Sequence, residues 1–217
     1  MDLNRYIIEE TVNTTSDNML DKYPYLQNLN LWESNINKIL YITGISGGGK
    51  GYLAKKIAKK YENTIIIELD KFENYNWYKD KVDDDKYVRR GDIIIFNWIK
   101  NTTESEFIDL DIFDNILEKY NKLLKRFMNY LIELSYMDYS HRYIVEGIQI
   151  FSDDIFKDIV NNESSIIILR TTKVYSIQKN LERDHAIIRN KLHTNNVDQI
   201  TEINNLEKRI RGEYSQD

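Results

Sequence analysis

A short glycine-rich segment, residues 44–51, constrains this chain more than any other feature of its sequence. It consists of Gly-Ile-Ser-Gly-Gly-Gly-Lys-Gly and fits the pattern G-x-x-x-x-G-K. An apolar run at 39–43 precedes it and an amphipathic pattern at 52–61 follows it, so it is predicted to join a strand to a helix. Glycines let backbone N–H groups converge on phosphate oxygens, and the helix N-terminus adds partial positive charge. The segment therefore predicts a nucleoside triphosphate site.

The residue types in this segment indicate which groups hold the phosphates. Lys50 can reach the β and γ phosphates as a point charge. The next position usually carries a Ser or Thr hydroxyl that ligates Mg²⁺, but here it is Gly51, so one metal ligand is lost. The alternative interpretation is a plain glycine-rich turn that contains a lysine by chance. The predicted nucleotide-binding residues are Gly44, Ser46, Gly47, Gly48, Gly49, Lys50, Gly51 and Tyr52.

Four apolar runs predict the strands of a buried sheet, at residues 39–43, 64–69, 142–146 and 165–169. Each is apolar at consecutive positions, which is typical of parallel strands covered by helices on both faces. A fifth run at 92–96 is either a strand or the opening of an apolar helix. Helical patterns alternate with these runs at 52–61, 113–137, 174–192 and 199–211. We therefore predict a three-layer α/β fold with a parallel sheet of about five strands flanked by helices.

The composition favours one such domain and excludes several classes of protein. The chain has 217 residues, of which 41% are hydrophobic and 12% aromatic, and this excludes a wholly disordered chain. Because it has no cysteine, it has no disulfide framework and no thiol catalysis. A net charge of −5 disfavours a surface that binds nucleic acid or anionic membrane. With no apolar run of membrane-spanning length and no leader-like N-terminus, the expectation is a cytoplasmic protein.

Polar residues stand where the predicted strands end. Asp70 follows the second strand, Glu146 and Gly147 end the third, and Arg170 follows the fourth. In an open parallel sheet, ligands bind beyond the carboxyl ends of the strands. These side chains are therefore expected beside the glycine-rich segment.

With these residues the chain resembles the P-loop kinase group, which includes nucleoside, nucleotide, polynucleotide and zeta-toxin-like kinases. The resemblance is carried by the segment 44–51, by Asp70-Lys71-Phe72, by the strand end 144–147, and by Arg170 with the arginine-bearing segment after it. It spans most of residues 39–192. It implies a P-loop NTPase fold and the transfer of the γ-phosphoryl group of ATP, or GTP, with Mg²⁺. The acceptor would be a hydroxyl or phosphate of a small molecule such as a nucleoside, a nucleotide or a similar metabolite.

The chain is predicted to divide as follows. The segment at about 20–38 looks helical, so residues 1–38 are predicted to be an N-terminal helical extension packed on the core. Residues 39–217 would be the kinase-like domain, with an acceptor-side insertion at 71–140 and a lid at 171–192.

Catalytic roles follow from the same resemblance. Lys50 would hold phosphates, and Asp70 would accept or orient the attacking hydroxyl and contribute to the metal site; Asp70 as a helix N-cap is the alternative. Glu146 would hold Mg²⁺ through water, and a solvated strand end is the alternative. Arg183 and Arg189 would close over the phosphates, whereas a solvated helix face is the simpler interpretation.

On the acceptor side, Phe72 could stack on a flat acceptor, Arg89 and Arg90 could bind an acceptor phosphate, and Gly147 would allow close approach. Aromatic residues at this density are also typical of a core. The acidic run 83–85 is interpreted as a solvated loop, and the three histidines receive no role.

Two other functions fit the same pattern. Gly51 is compatible with a nucleotide-binding switch or pseudokinase that performs no transfer. A 5′-polynucleotide kinase would also carry the phosphate loop, although the acidic balance disfavours it.

Overall fold

The computed structural model describes residues 5–9, 38–81, 83–102, 116–151, 155 and 165–170. The strands are β1 (Arg5–Glu9), β2 (Ile39–Gly44), β3 (Thr64–Glu68), β4 (Arg142–Glu146) and β5 (Ser165–Arg170). The helices are α1 (Lys50–Lys60), α2 (Leu69–Glu73), α3 (Tyr75–Tyr78), α4 (Lys86–Thr102) and α5 (Ile116–Met137). A 3₁₀ turn, Ile148–Phe151, follows β4.

The strands form one parallel sheet in the order β1-β5-β2-β4-β3. The strand that leads into the glycine-rich loop, β2, lies in the middle. The chain leaves β2 toward β3 and returns one position to β4, whereas β5 pairs with the opposite side of β2. The direction of the connections therefore reverses at β2. Open parallel sheets bind their ligands beyond the carboxyl ends of the strands at such a reversal.

Two buried clusters cover the two faces of the sheet, which explains why the strands are apolar at consecutive positions. The cluster on the α1 face comprises Leu40, Ile42, Leu53, Ala54, Ile57, Ala58, Ile66, Val88, Ile144, Ile167 and Leu169. The cluster on the opposite face includes Ile39, Tyr41, Ile65, Ile67, Trp98, Ile99, Leu123, Leu124, Phe127, Leu131, Tyr143 and Val145. The α/β fold with a parallel sheet flanked by helices is thus confirmed.

The four predicted strands are present within a residue of their expected ends. The ambiguous run 92–96 is helical and lies inside α4, because its apolar residues continue a helical pattern that buries Ile95, Trp98 and Ile99. The remaining strand of the sheet is β1, which pairs with β5. The prediction of a helical extension over 1–38 is therefore wrong at residues 5–9, which form a strand.

Helix α4 passes from one face of the sheet to the other around the outer side of β3. Val88 packs in the cluster on the α1 face, whereas Ile95 packs on the opposite face. Between them, Gly91 is so close to β3 that a Cβ at this position would overlap the carbonyl oxygen of Ile66. Glycine is required here by the close approach of two backbones.

The other domain predictions fall partly outside the described residues. The expected insertion at 71–140 contains α3, α4 and α5, and the last two supply the helical layer on the second face. Several predictions lie outside the described residues. They are the lid at 171–192, the helical patterns at 174–192 and 199–211, and the helical segment at about 20–38 apart from Lys38. None of the described helices is both long and apolar enough to cross a membrane.

Candidate phosphate-binding and transfer site

The glycine-rich loop begins at the end of β2 and depends on three glycine conformations. Gly44 has φ 146° and lies so near β5 that a Cβ would overlap the carbonyl oxygen of Leu169. Gly47 and Gly49 have φ 73° and 86°, the left-handed region that side chains disfavour. These conformations turn the chain sharply from β2 into α1.

The N-terminus of α1 faces this loop without an acidic cap. Gly49 is the N-cap, no side chain accepts a hydrogen bond there, and the first turn contains no acidic residue. The Nζ of Lys50 donates to the carbonyl oxygen of Ile45 at 3.2 Å, so the ammonium lies over the loop. Ser46 is exposed beside it, and Tyr52 packs against the cluster on the α1 face. An uncapped helix end with a lysine at its start is suited to bind an anion.

Glu146 ends β4, the strand beside β2, and its carboxylate reaches the first turn of α1. Its Oε1 lies 3.5 Å from the position that a Cβ on Gly51 would take. The residue is 8% exposed. The pKa of Glu146 is raised to about 8, chiefly by burial and also by the negative charges of Glu68 and Asp70, which Lys50 and Lys55 oppose. A buried carboxyl group therefore lies within contact distance of the position that the Cβ of a Ser or Thr would take.

Replacing Glu146 by Gln should remove a pH dependence of stability. The carboxyl titrates near pH 4.5 when unperturbed and at about 8 in the folded protein, so between these values the folded state alone holds the proton. The contribution of the protonated Glu146 carboxyl to the free energy of unfolding is complete at low pH and declines as the pH rises to about 8. We expect Glu146→Gln to exceed the unaltered protein in stability by about 2–4 kcal/mol near pH 9 and to differ little near pH 4.

Urea unfolding at the two pH values measures this difference. Glu133→Gln is the matched control, because Glu133 is exposed on α5, and it should leave the pH dependence unchanged. An unaltered pH dependence in the Glu146 variant would contradict the buried position of its carboxyl.

Asp70 lies in the first turn of α2, exposed, at the same end of the sheet. Its Oδ1 accepts a hydrogen bond from Gln149 Nε2 at 3.2 Å, and the same nitrogen donates to Glu73 Oε2 at 2.6 Å. Gly147 makes this possible, since a Cβ there would overlap Gln149 Oε1 and approach the Cβ of Leu69 to 2.8 Å. The amide thus orients two carboxylates, and Gly147 serves the packing of this amide.

Tyr120 of α5 faces the same carboxylates. Burial raises the pKa of Tyr120, and the charges of Glu73 and Asp70 raise it further. Within the described part of the chain, its buried hydroxyl has no hydrogen-bond partner, nor has the buried Oε1 of Gln149. A hydroxyl-bearing ligand beside Asp70 would find polar partners in both.

Lys71 connects this end of the sheet to α4. Its Nζ donates to Asp92 Oδ2 at 2.9 Å and lies 3.3 Å from Glu68 Oε2 and 3.6 Å from Asp83 Oδ2. Burial disfavours the ammonium, but the bond to Asp92 and the surrounding carboxylates outweigh it, so the pKa of Lys71 is raised. The network fixes α2, and with it Asp70, against α4.

Phe72 does not lie in the site. It is fully buried, and its ring stacks on Phe127 with the centroids 4.9 Å apart and meets Trp98 at 5.9 Å. The expectation that Phe72 stacks on an acceptor is therefore wrong. On the short helix α2, Asp70 is exposed at one side while Phe72 points into the core.

Arg90 lies at the opposite end of the sheet. Its guanidinium is 3.4 Å from the Nε2 of His141, and His141 directly precedes β4. Because the glycine-rich loop lies beyond the carboxyl ends of the strands, Arg90 is not close to that loop. Arg89 is exposed on the same first turns of α4. Arg183 and Arg189 lie outside the described residues.

Several polar residues that lie at this end of the sheet have no role predicted from the sequence: Glu68, Lys71, Glu73, Asp92 and Gln149. Glu68 and Asp92 carried a usable signal, because each is a carboxylate within or at the start of an apolar run, where burial requires a partner. Glu68 also sits opposite Glu146 in the register of β3 and β4. The acidic run at 83–85 is more than a solvated loop, since Asp83 contacts Lys71.

The residues present would suit magnesium rather than a metal enclosed by protein ligands. Across the described residues, no three His, Asp or Glu side chains form a group that could hold a metal ion. Mg²⁺ typically binds one or two carboxylates and completes its shell with water and phosphate oxygens. Glu146, buried beside the loop, fits that manner of binding.

Neither a scan against protein-family models nor a search of curated proteins returns a match for this chain.

Proposed function

We propose that this chain is a P-loop kinase that transfers the γ-phosphoryl group of ATP, or of GTP, to a hydroxyl of a small uncharged acceptor. The observation that carries the proposal is the meeting of three groups at one end of the sheet. These are Lys50 on the glycine-rich loop, the buried Glu146 beside α1, and Asp70 held by Gln149. The loop supports nucleotide binding, and a positioned carboxylate across from it supports transfer.

The loop and α1 would bind the triphosphate. Backbone N–H groups of the loop and of the first turn of α1 donate to phosphate oxygens, and Lys50 exchanges its bond to the Ile45 carbonyl for one to the phosphates. Glu146 would hold Mg²⁺ through water. When bound, that ion neutralises charge on the β and γ phosphates and favours an in-line transfer.

Asp70 would serve the acceptor. The acceptor oxygen forms a bond to the γ phosphorus while the bond from that phosphorus to the bridging oxygen breaks, and the nucleoside diphosphate leaves. The hydroxyl proton passes to the carboxylate of Asp70, whose orientation is set by the Gln149 amide. Positioning and charge neutralisation supply most of the rate in such reactions.

The charge of the site supports an uncharged acceptor. Among the described residues, Glu73, the Gln149 amide and Tyr120 lie beside Asp70, and the adjacent Lys71 is already surrounded by carboxylates. Arg90, which was expected to bind an acceptor phosphate, lies at the far end. A phosphorylated acceptor or a nucleic-acid end would be repelled by Asp70 and Glu73.

The test is an incubation with γ-labelled ATP, Mg²⁺ and matched acceptors: ribonucleosides, hexoses and small polyols, each beside its phosphorylated form. We expect label on the uncharged members.

Lys50→Ala should weaken ATP binding by about tenfold or more, because a charge-assisted contact to phosphate is lost. Calorimetry measures the affinity, and Lys59→Ala, at an exposed lysine near the end of α1, is the control.

The outcomes separate the competing functions. Binding of ATP without transfer to any acceptor would favour a nucleotide-binding switch. Label on the phosphorylated members would support the kinase activity but contradict the proposal that the acceptor is uncharged. Oligonucleotide 5′ ends that accept label, with an affinity that falls steeply with salt, would indicate a polynucleotide kinase. If ATP does not bind, the proposal is wrong.

A further inference from the structure

A cavity of about 240 Å³ lies at the end of the sheet opposite the glycine-rich loop. Thr64, which begins β3, belongs to its wall, whereas Asp70 follows the other end of that strand. Its lining residues are Glu62, Asn63, Thr64, Lys86, Tyr87 and Arg90. The cavity is therefore separate from the proposed transfer site.

A hydrogen-bonded group beside this cavity positions the ring of His141. Asp138 accepts bonds from the Ser140 N–H at 3.0 Å, the Ser140 hydroxyl at 2.6 Å and the Tyr143 hydroxyl at 2.7 Å. Burial opposes ionisation, but these bonds and that from His141 outweigh it and lower the pKa of Asp138. The ionised carboxylate also lies 2.7 Å from the Nδ1 of His141.

Arg90 contacts the other nitrogen of that ring. Its NH1 lies 3.4 Å from the Nε2 of His141, and since a guanidinium only donates, Nε2 accepts. The Nδ1 of the same ring lies 2.7 Å from Asp138 Oδ2. An imidazole carries no negative charge, so this contact positions Arg90 without neutralising its positive charge.

Among the described residues, the second cation of the cavity, Lys86, also contacts an aromatic ring and not a carboxylate. The Nζ of Lys86 lies over the ring of Tyr87, 4.8 Å from its centroid. In the described part of the chain, neither Lys86 nor Arg90 has a carboxylate within ion-pair distance. Glu62 is the one acidic residue of the lining, so two cations face one carboxylate.

We propose that this cavity binds a small oxyanion, a phosphate or carboxylate group, through Arg90 and Lys86. The fork of Arg90 can present two N–H groups to two oxygens, and Lys86 adds a point charge. The Tyr87 ring provides a flat wall for the body of the ligand. This is a second anion site beyond the proposed transfer reaction, and it does not depend on it.

The test uses the full chain with Lys50→Ala as background, so that the glycine-rich loop contributes little anion binding. Inorganic phosphate and malonate are titrated separately and followed by protein NMR, which distinguishes a phosphate from a carboxylate ligand. We expect saturable binding of at least one of them. Adding Arg90→Gln should weaken it by about tenfold or more, because a charge-assisted bidentate contact is lost.

Arg89→Gln is the matched control. It removes the same charge from the neighbouring exposed position of α4, which does not line the cavity, and should leave the affinity unchanged. Lys86→Gln should weaken binding as well. Equal losses in the Arg89 and Arg90 variants, or the absence of saturable binding by both anions, overturn the proposal. Because all three side chains are exposed, these variants are expected to fold.

Discussion

Asp70→Asn should lower phosphoryl transfer by about 10²–10⁴-fold and leave ATP affinity nearly unchanged. Asn has the shape of Asp, and its carbonyl oxygen can still accept the hydrogen bond from Gln149. What it loses is the ability to take the proton of the acceptor hydroxyl. Since Lys50 and the loop are untouched, triphosphate binding should persist. Single-turnover transfer and calorimetric ATP binding measure the two effects separately.

The control for this variant is Asp80→Asn. Asp80 is exposed beyond α3, and the exchange alters the net charge by the same amount. It should leave both transfer and ATP binding as they are. Full transfer activity in Asp70→Asn would show that Asp70 is not the proton acceptor, and a parallel loss of ATP affinity would show that its role is structural.

Gly91→Ala should destabilise the protein by about 3 kcal/mol or more, the opposite of its usual effect in a helix. At an ordinary helix position, replacing Gly by Ala stabilises by about 1 kcal/mol, because Ala has less backbone freedom to lose. Here the added methyl group would overlap the carbonyl oxygen of Ile66. The backbone of β3 is held by its pairing with β4 and cannot rotate away, so α4 itself would have to shift from β3.

Urea unfolding measures the change, and Asn97→Ala on the same helix is the control. Asn97 is exposed, so this exchange should be neutral or slightly stabilising. A Gly91→Ala variant as stable as the unaltered protein would mean that α4 does not approach β3 as closely as the structure places it.

Local patterns predicted the strands and the glycine-rich loop because their causes are local. A strand buried on both faces needs consecutive apolar residues, and the turn from β2 into α1 needs glycines at positive φ. The positions of Asp70 and Glu146 at one edge of the sheet were predictable because parallel strands bring their carboxyl ends together there. In each case a few adjacent residues were sufficient.

The residues predicted for an acceptor side are placed by contacts that no local pattern contains. Lys71 pairs with Asp92, 21 positions away, only because α4 crosses the outer side of β3. The same crossing carries Arg90 to the far end of the sheet, where it meets His141. Phe72 is two residues from the exposed Asp70, and the rotation of one short helix decides that its ring enters the core. The positions of Lys71, Arg90 and Phe72 are therefore determined by tertiary packing and could not be predicted from residue type.

The course of α4 also has a consequence for how this protein behaves among its own copies. An outermost strand presents unpaired backbone groups that can recruit a strand from another molecule, and an isoleucine-rich strand is a strong template for such growth. β3 carries Ile65, Ile66 and Ile67, and its side away from β4 is occupied by α4 at Gly91. The helix α4 therefore covers this edge and prevents the addition of a strand from another molecule. A change that displaces α4 would lower the stability of the protein and also expose β3 to aggregation.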